Sequence, residues 1–186
     1  MSYLGTDSGD YVEILAAAAM SVDMAKVPGL SVEVGLREGG GTHHMVVQYN
    51  HPRTHIAIDP YGSLPYEWQE NTIAPWVYDN EMRNNAVAAL FQLTNGTNVN
   101  FVFLNMMDGD YFELFAKGYP LFVDGKRVVE NRYAIVHLDA IHALHAIERQ
   151  VEFFAPRISP NGMLVFDDID GFYNHEHIEQ IVLEKG

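Results

Sequence analysis

Four short apolar runs in this chain each end in an acidic residue or in glycines, the residue types with which a strand end can bind a small molecule. In chain order they are Leu30–Gly35, Ile56–Asp59, Ala134–Asp139 and Met163–Asp168. Runs of this kind are typical of buried parallel strands, and the carboxyl ends of such strands are where an open α/β sheet binds its ligand. The chain is therefore predicted to be an enzyme or a binder of small molecules.

The first run leads into a glycine-rich turn, Gly35–Gly41, with Thr42 directly after it. Such a turn lets the backbone come close to a ligand and aims the N-terminus of the next helix at it. The turn differs from the dinucleotide fingerprint G-x-G-x-x-G, because Leu36 and Arg37 follow the first glycine. This difference disfavours a nucleotide-dependent oxidoreductase.

Asp59 ends the second run, 26 residues after Glu33. At that position its carboxylate could accept hydrogen bonds from the hydroxyls of a ribose. The alternative is an aspartate that only caps the turn before Pro60.

Length and composition limit the classes of function. The 186 residues fit one domain, 1–186, and the absence of Cys agrees with a cytoplasmic protein. The first residues lack the basic and apolar segments of a signal peptide, and no apolar run approaches the ~20 residues of a membrane span. A formal net charge of −14 opposes binding to nucleic acid or to an anionic membrane.

Strand and helix patterns alternate along the chain. Strands are expected at 30–34, 55–59, 98–104, 133–138 and after Pro160-Asn161-Gly162; helices are expected at 10–25, 42–48, from Asp79 to Asn95-Gly96, at 110–117, 142–155 and 174–185; and a hairpin is expected at 121–129, with Asp124-Gly125 in its turn. Right-handed crossovers then place helices on both faces of a mostly parallel sheet. The predicted fold is α/β and doubly wound.

A loop over 60–78 carries an unusual number of aromatic residues. These are Tyr61, Tyr66, Trp68, Trp76 and Tyr78. Two interpretations are open: the loop closes over a substrate, or its rings pack into the core.

Four segments in order resemble the class I methyltransferases that use S-adenosylmethionine. They are 32–42 (Val-Glu-Val-Gly-x3-Gly-Gly-x-Thr), Ala57–Pro60, Val136–His142 with Asp139-x2-His142, and Ile158–Asp168 with its paired aspartates. The resemblance covers roughly Val32 to Asp168 and is closest to the small metal-dependent, macrocin-type O-methyltransferases. It implies a Rossmann-like sheet of order 3-2-1-4-5.

The resemblance also implies where the cofactor lies. Gly35 and its turn, with Glu33, Gly39 and Thr42, would hold the methionine part of S-adenosylmethionine. Asp59 would hold the ribose. Asp108 would lie near the adenine, although it could equally be a solvated turn residue.

The same resemblance places three carboxylates, those of Asp139, Asp167 and Asp168, together at the edge of the sheet. Carboxylates that close repel each other unless a cation neutralises them, and their oxygens suit Mg²⁺. Such a metal could lower the pKa of a substrate hydroxyl, and the imidazole of His142 could act as general base. The alternative for the paired aspartates is a loop cap.

Two departures from the family pattern bear on function. The chain has Asp139-Ala140-Ile141-His142 where family members often have Asp-Gly-Asp-His, and only 18 residues follow Asp168, too few for the usual C-terminal strand pair. The terminal helix, the 121–129 hairpin or a second subunit is therefore expected to cover the fifth strand, so a homo-oligomer is possible. The predicted function is methyl transfer to a hydroxyl of a small molecule, a sugar or a phenol; the alternative is a non-catalytic protein that binds S-adenosylmethionine or S-adenosylhomocysteine.

Overall fold

The computed structural model describes residues 10–69, 71–75, 77–167 and 175–185. Its helices are α1 (Asp10–Met24), α2 (Gly40–Val46), α3 (Asn80–Thr94), α4 (Asp108–Leu114), α5 (Leu144–Phe154) and α6 (His175–Lys185). Its strands are β1 (Leu30–Val34), β2 (Arg53–Ile58), β3 (Glu67–Gln69), β4 (Thr72–Ile73), β5 (Val99–Leu104), β6 (Tyr119–Val123), β7 (Lys126–Glu130), β8 (Tyr133–Leu138) and β9 (Ile158–Phe166).

The main sheet has five parallel strands in the order β5-β2-β1-β8-β9. Numbered among themselves along the chain, these strands give the order 3-2-1-4-5, so the predicted fold class and strand order are confirmed. Two further pairs, β3-β4 and β6-β7, form separate antiparallel ribbons.

The hydrogen-bond ladder continues one residue past the strands and lines up their ends. Gly35 N donates to Ile58 O at 2.9 Å, and Asp139 N donates to Val34 O at 2.8 Å. Asp59 N donates to Leu104 O at 3.2 Å, and Asp167 N donates to Leu138 O at 3.0 Å. Gly35, Asp59, Asp139 and Asp167 therefore form a row along one edge of the sheet.

Apolar side chains alternate between the two faces of the strands, as parallel strands with helices on both faces require. On one face Ala57 and Ile135 pack with Leu15, Met45 and Leu90 from helices α1, α2 and α3. On the other face β-strand residues such as Val32, Ile56 and Val136 pack with Tyr111, Phe153 and Phe154 from α4 and α5. Both faces of the sheet are thus buried, and its carboxyl edge is left for a ligand.

Most of the helix and hairpin signals are confirmed. The carboxylate of Asp79 caps α3 by accepting from Met82 N at 2.8 Å, and Asn95 is its C-cap. Asp124 and Gly125 have φ values of 50° and 74°, as the predicted hairpin turn requires.

Several boundaries differ from the sequence-based expectation, among them the start of α5, which is Leu144 rather than His142. Helix α2 begins at Gly40 rather than at Thr42. The residues Pro160-Asn161-Gly162, expected as a turn before the fifth strand, lie within β9, where the register against β8 jumps between Ile158 and Met163 and Asn161 has φ 65°. The turn signal marks a β-bulge, which needs the same backbone freedom as a turn.

At the far side of the sheet, Ile178 of α6 packs against Ile147 and Val151 of α5. The terminal helix thus covers the outer helix layer next to β9. No helix within the described ranges is long and apolar enough to cross a membrane.

Candidate active site

A cavity of about 550 Å³ opens at the carboxyl edge of the sheet, a size that suits a small molecule. Six of the predicted site residues line it: Gly35, Asp59, Asp108, Asp139, His142 and Asp167. The structure therefore brings to one place residues that are separated by as many as 132 positions in the sequence.

Gly35 fixes the floor of this cavity. Its φ of 96° lies in the left-handed region, and a Cβ there would overlap the backbone carbonyl oxygen of Asp139. The glycine turn and the end of β8 can approach this closely only because residue 35 has no side chain. Any ligand bound over Gly35 consequently also lies beside Asp139.

Asp59 clamps the glycine turn from the end of β2. Its Oδ2 accepts hydrogen bonds from Leu36 N at 2.9 Å and from Arg37 N at 2.8 Å. The hydroxyl of Tyr61 donates to the carbonyl oxygen of Arg37. Since Oδ2 is used by the turn and Asp59 lines the cavity, Oδ1 is the oxygen that could accept from a ligand.

Burial raises the pKa of Asp59 to about 6, and the two backbone hydrogen bonds only partly oppose this effect. The side chain is almost fully buried, so the cost of desolvating the carboxylate exceeds what two N–H donors return. A ligand that donates hydroxyl hydrogens to this carboxylate would supply the missing compensation.

Gly39 lies within the turn, Glu33 and Thr42 lie on either side of it, and none of the three is among the lining residues. The buried carboxylate of Glu33 accepts from Thr42 N at 3.0 Å, from the Thr42 hydroxyl and from His137 Nδ1 at 2.9 Å. Gly39 has φ 87° and precedes the first turn of α2. These residues support the turn from within the protein, and a direct contact between them and the cofactor stays a prediction.

Asp108 begins helix α4, just after β5. Its Oδ1 accepts from Gly109 N at 2.7 Å and its Oδ2 accepts from Gln150 Nε2 at 2.8 Å. The side chain is thereby held in place at the cavity wall, next to Met106 and Met107. This end of the cavity combines an apolar surface with a fixed carboxylate.

Asp139, His142 and Asp167 line the cavity on the side of β8 and β9. The third predicted metal ligand, Asp168, lies outside the described residues. Among the residues that the structure does describe, no group of three or more His, Asp or Glu side chains has an arrangement that could hold a metal ion. The Mg²⁺ site therefore stays a prediction, with two of its three carboxylates at the cavity.

The rings of the aromatic loop are divided between the core and the wall of the cavity. Closure of the loop over a substrate stays a prediction. Tyr61 is buried in the core, with its ring 5.9 Å from that of Phe103. Tyr66 and Tyr78 line the cavity, with ring centroids 5.3 Å apart. The side chain of Trp68, and Trp76 as a whole, lie outside the described part of the chain.

Sequence reasoning did not single out Arg37, Leu64 or Ile141 as lining residues. Arg37 has a left-handed φ of 47°. The sequence does not predict this conformation, because arginine rarely adopts it. The sequence feature that indicated a role for the 60–78 loop in the cavity wall was its high content of aromatic residues.

The cavity is acidic. Four of its lining residues are aspartates, at 59, 108, 139 and 167, and Arg37 is the only Lys or Arg among the described residues that line it. Carboxylates in a low-dielectric cleft favour a cationic ligand. A sulfonium with an amino group is such a ligand.

Comparison with known proteins identifies the family of this chain. A family profile described as "Methyltransferase domain" matches residues 32–169. The chain belongs to this methyltransferase family. The earlier resemblance to class I, S-adenosylmethionine-dependent methyltransferases is thereby confirmed, and the matched residues include every strand of the main sheet except the first two residues of β1.

Solved structures share the fold of this methyltransferase. The O-methyltransferase NovP superposes with a TM-score of 0.60 at 17% identity, covering 93% of this chain and 69% of NovP. A protein of Corynebacterium glutamicum gives 0.60 at 14% identity, covering 97% of this chain and 72% of that one. Spermidine synthase from Thermotoga maritima gives 0.55 at 14% identity, covering 94% and 50%. By sequence, no curated protein matches the chain.

Proposed function

We propose that this methyltransferase transfers the methyl group of S-adenosylmethionine to a hydroxyl oxygen of a small molecule, a sugar or a phenol. The observation that carries the proposal is the row of Gly35, Asp59, Asp139 and Asp167 along one acidic cavity. The fold shared with the O-methyltransferase NovP supports oxygen as the methyl acceptor.

The residues at the β1, β2 and β5 ends fit the cofactor. Asp59 Oδ1 would accept from the ribose hydroxyls, and the wall at Met106–Asp108 would face the adenine. The turn at Gly35 would hold the methionine part against the end of β8, where a side chain at residue 35 would leave no room. When bound there, S-adenosylmethionine supplies an activated methyl group.

The residues at the β8 and β9 ends fit the acceptor. His142 would take the proton of the acceptor hydroxyl as its oxygen attacks the methyl carbon. The bond between the methyl carbon and sulfur would break with its electron pair staying on sulfur, so that the leaving group is the uncharged thioether of S-adenosylhomocysteine. Asp139 would orient that hydroxyl, or take the proton in place of His142. Tyr66 and Tyr78 would shield the acceptor from water.

The proposal also includes a divalent cation at the acceptor side of the cavity. Asp139 and Asp167, together with Asp168, would hold it, and it would lower the pKa of the acceptor hydroxyl. Asp139 and Asp167 both line the cavity at the β8 and β9 ends, and a cation there would neutralise their charges.

The test is a screen of sugars and catechols for release of S-adenosylhomocysteine from S-adenosylmethionine, with Mg²⁺ present. The wild-type protein is expected to turn over at least one acceptor, and His142→Ala is expected to lower kcat by about 10²–10⁴ if the imidazole is the base. Glu113→Ala, which removes an exposed carboxylate of α4, is the matched control and should leave kcat unchanged.

Two outcomes would change the proposal. Binding of S-adenosylhomocysteine without turnover across the screen would favour the non-catalytic alternative. Turnover that survives in His142→Ala would move the proton transfer to Asp139 or to the metal.

A further inference from the structure

Six buried polar side chains form a continuous hydrogen-bonded chain beneath the glycine turn. They are, in order of contact, Tyr49, Ser31, His55, Thr42, Glu33 and His137. Tyr49 is 6% exposed and the other five are at most 1% exposed. Neither histidine lines the cavity, and the proposed chemistry uses neither of them.

The direction of these hydrogen bonds follows from Glu33. A carboxylate only accepts, and Glu33 Oε2 receives both the backbone N–H and the hydroxyl hydrogen of Thr42. The Thr42 oxygen therefore has no hydrogen left for His55, whose Nε2 lies 2.8 Å away. Nε2 of His55 must be the donor in this contact.

The directions of the remaining hydrogen bonds then follow. Burial, followed by the nearby His137 and Arg53, lowers the pKa of His55 to about 3, so its ring is neutral and carries one ring hydrogen, on Nε2. Nδ1 of His55 consequently accepts from the hydroxyl of Ser31 at 2.8 Å. Ser31 in turn accepts from the hydroxyl of Tyr49 at 2.7 Å. Every hydrogen bond has one possible direction.

This hydrogen-bonded chain of side chains joins the strands and the helix that form the site. Ser31 and Glu33 lie on β1, His55 on β2 and His137 on β8, while Thr42 lies in the first turn of α2. The fit is tight, because a Cβ on Gly41 would overlap Glu33 Oε1 and lie 3.1 Å from His137 Cε1. The carboxylate of Glu33 is thus pressed against the start of α2, with His137 holding it from the other side.

We propose that His55 and His137 are positioning residues that hold the turn Gly35–Gly41 in its cofactor-binding shape, acting through Thr42 and Glu33, with His55 in the Nε2–H tautomer. This inference rests on the proposed cofactor site. It adds two residues that never touch the cofactor, and it assigns Glu33 and Thr42 an internal role as the links between those histidines and the turn.

Paired variants of His55 test the assigned direction. The amide of Gln reaches about as far as the Nε2 position of His, whereas the amide of Asn reaches only the Nδ1 position. His55→Gln is expected to keep the Kd for S-adenosylhomocysteine within about threefold of wild type, because it retains a donor to Thr42. His55→Asn is expected to raise that Kd about tenfold or more, with a similar fall in Tm in both variants.

A second pair tests the link at Thr42 without altering the histidine. Thr42→Ser keeps the hydroxyl and should keep the Kd, while Thr42→Val keeps the shape and should weaken binding about tenfold or more. Kd is measured by calorimetry at a temperature well below the Tm of every variant. If Ser and Val weaken binding equally, or if Kd simply follows Tm across the four variants, the positioning role is overturned.

The tautomer is tested without any ligand. Long-range ¹H–¹⁵N correlation spectra of wild-type protein labelled on histidine nitrogens should show a protonated Nε2 and an unprotonated Nδ1 for His55, assigned by the signal lost in His55→Gln. A protonated Nδ1 of His55 would overturn the proposal, whatever the variants show about binding. Wild-type protein that binds no S-adenosylhomocysteine at millimolar concentration would overturn the proposed function as well, whereas wild-type binding with four equivalent variants would overturn this inference alone.

Discussion

At the scale of the residue, Asp59 carries two tasks with one carboxylate. Its Oδ2 closes the glycine turn, and its Oδ1 remains for a ligand at the cavity. Burial makes the charged form costly, which is why the pKa of this group rises from 3.8 to about 6. Ligand binding and ionisation of Asp59 are consequently linked.

The affinity for S-adenosylhomocysteine is expected to depend on pH through Asp59. Below pH 6 the folded protein must release a proton before the carboxylate can accept from both ribose hydroxyls, so Kd should rise up to about tenfold per pH unit from pH 6 to pH 5. Above pH 7 the Kd should be constant. Calorimetry between pH 5 and pH 8 measures this slope.

Asp59→Asn is the control for this dependence. Its amide oxygen can still accept from Leu36 N and Arg37 N, but its other atom is a donor and cannot accept from ribose. Kd should be about 10-fold to 100-fold higher at pH 7, the loss of one or two charge-assisted hydrogen bonds, and flat with pH. A slope that persists in Asp59→Asn would assign the titration to another group.

The sequence pattern predicted the residues that line the cavity well and the buried residues behind them poorly. Asp59 and Asp139 end apolar runs, and the register of parallel strands brings such ends together. His55 and His137 sit inside runs that look simply apolar, and their partners lie 13 and 104 positions away. Local spacing contains no signal for hydrogen bonds made across strands.

At the scale of the element, the start of α2 shows how glycine sets a helix boundary. The sequence predicts a tight turn over Gly35–Gly41 and a helix from about Thr42, and glycine is unfavourable within a helix. The structure starts the helix at Gly40, since the first turn must pack directly on the carboxylate of Glu33. The N-terminal boundary of α2 is therefore set by close packing against Glu33 and not by the low helix propensity of glycine.

Gly41→Ala is expected to lower Tm clearly and to weaken binding of S-adenosylhomocysteine, because the new methyl group would displace the Glu33 carboxylate from His137. Gly109→Ala is the matched control, because Gly109 also lies in the first turn of a helix. Its Cβ would meet the guanidinium group of the exposed Arg149, with Nη2 nearest at 2.7 Å, and that side chain can move aside. Differential scanning fluorimetry compares the two. Equal losses of Tm would mean that glycine-to-alanine exchange at a helix start, rather than the Glu33 contact, decides the result.

Other element boundaries depended on tertiary context in the same way. The bulge at Pro160-Asn161-Gly162 and a turn at that place would have the same local sequence, and only pairing with β8 distinguishes them. The short ribbon of β3 and β4 within the aromatic loop has strands of three and two residues, too short for a periodic signal. Longer elements with caps, such as α3, were predicted with correct ends.

At the scale of the whole molecule, the proposed function divides the carboxyl edge of the sheet into two halves. The ends of β1, β2 and β5 face the part of the cavity proposed for the cofactor, and the ends of β8 and β9 face the part proposed for the acceptor. The acidic cavity lies in a chain with a net charge of −14, so the field around the whole protein also favours a cationic cofactor over its neutral product.

This division predicts opposite effects for variants in the two halves. Asp167→Asn should lower kcat by more than about 10²-fold and leave the Kd for S-adenosylhomocysteine within about threefold, because its side chain serves the acceptor or its metal. Asp59→Asn should do the reverse, raising Kd and changing kcat at saturating cofactor far less.

EDTA should abolish turnover in wild type, Mg²⁺ should restore it, and neither should change the affinity for S-adenosylhomocysteine. Turnover that resists EDTA would remove the metal from the mechanism, and equal losses of kcat and affinity in both variants would show that the two halves of the site do not act separately.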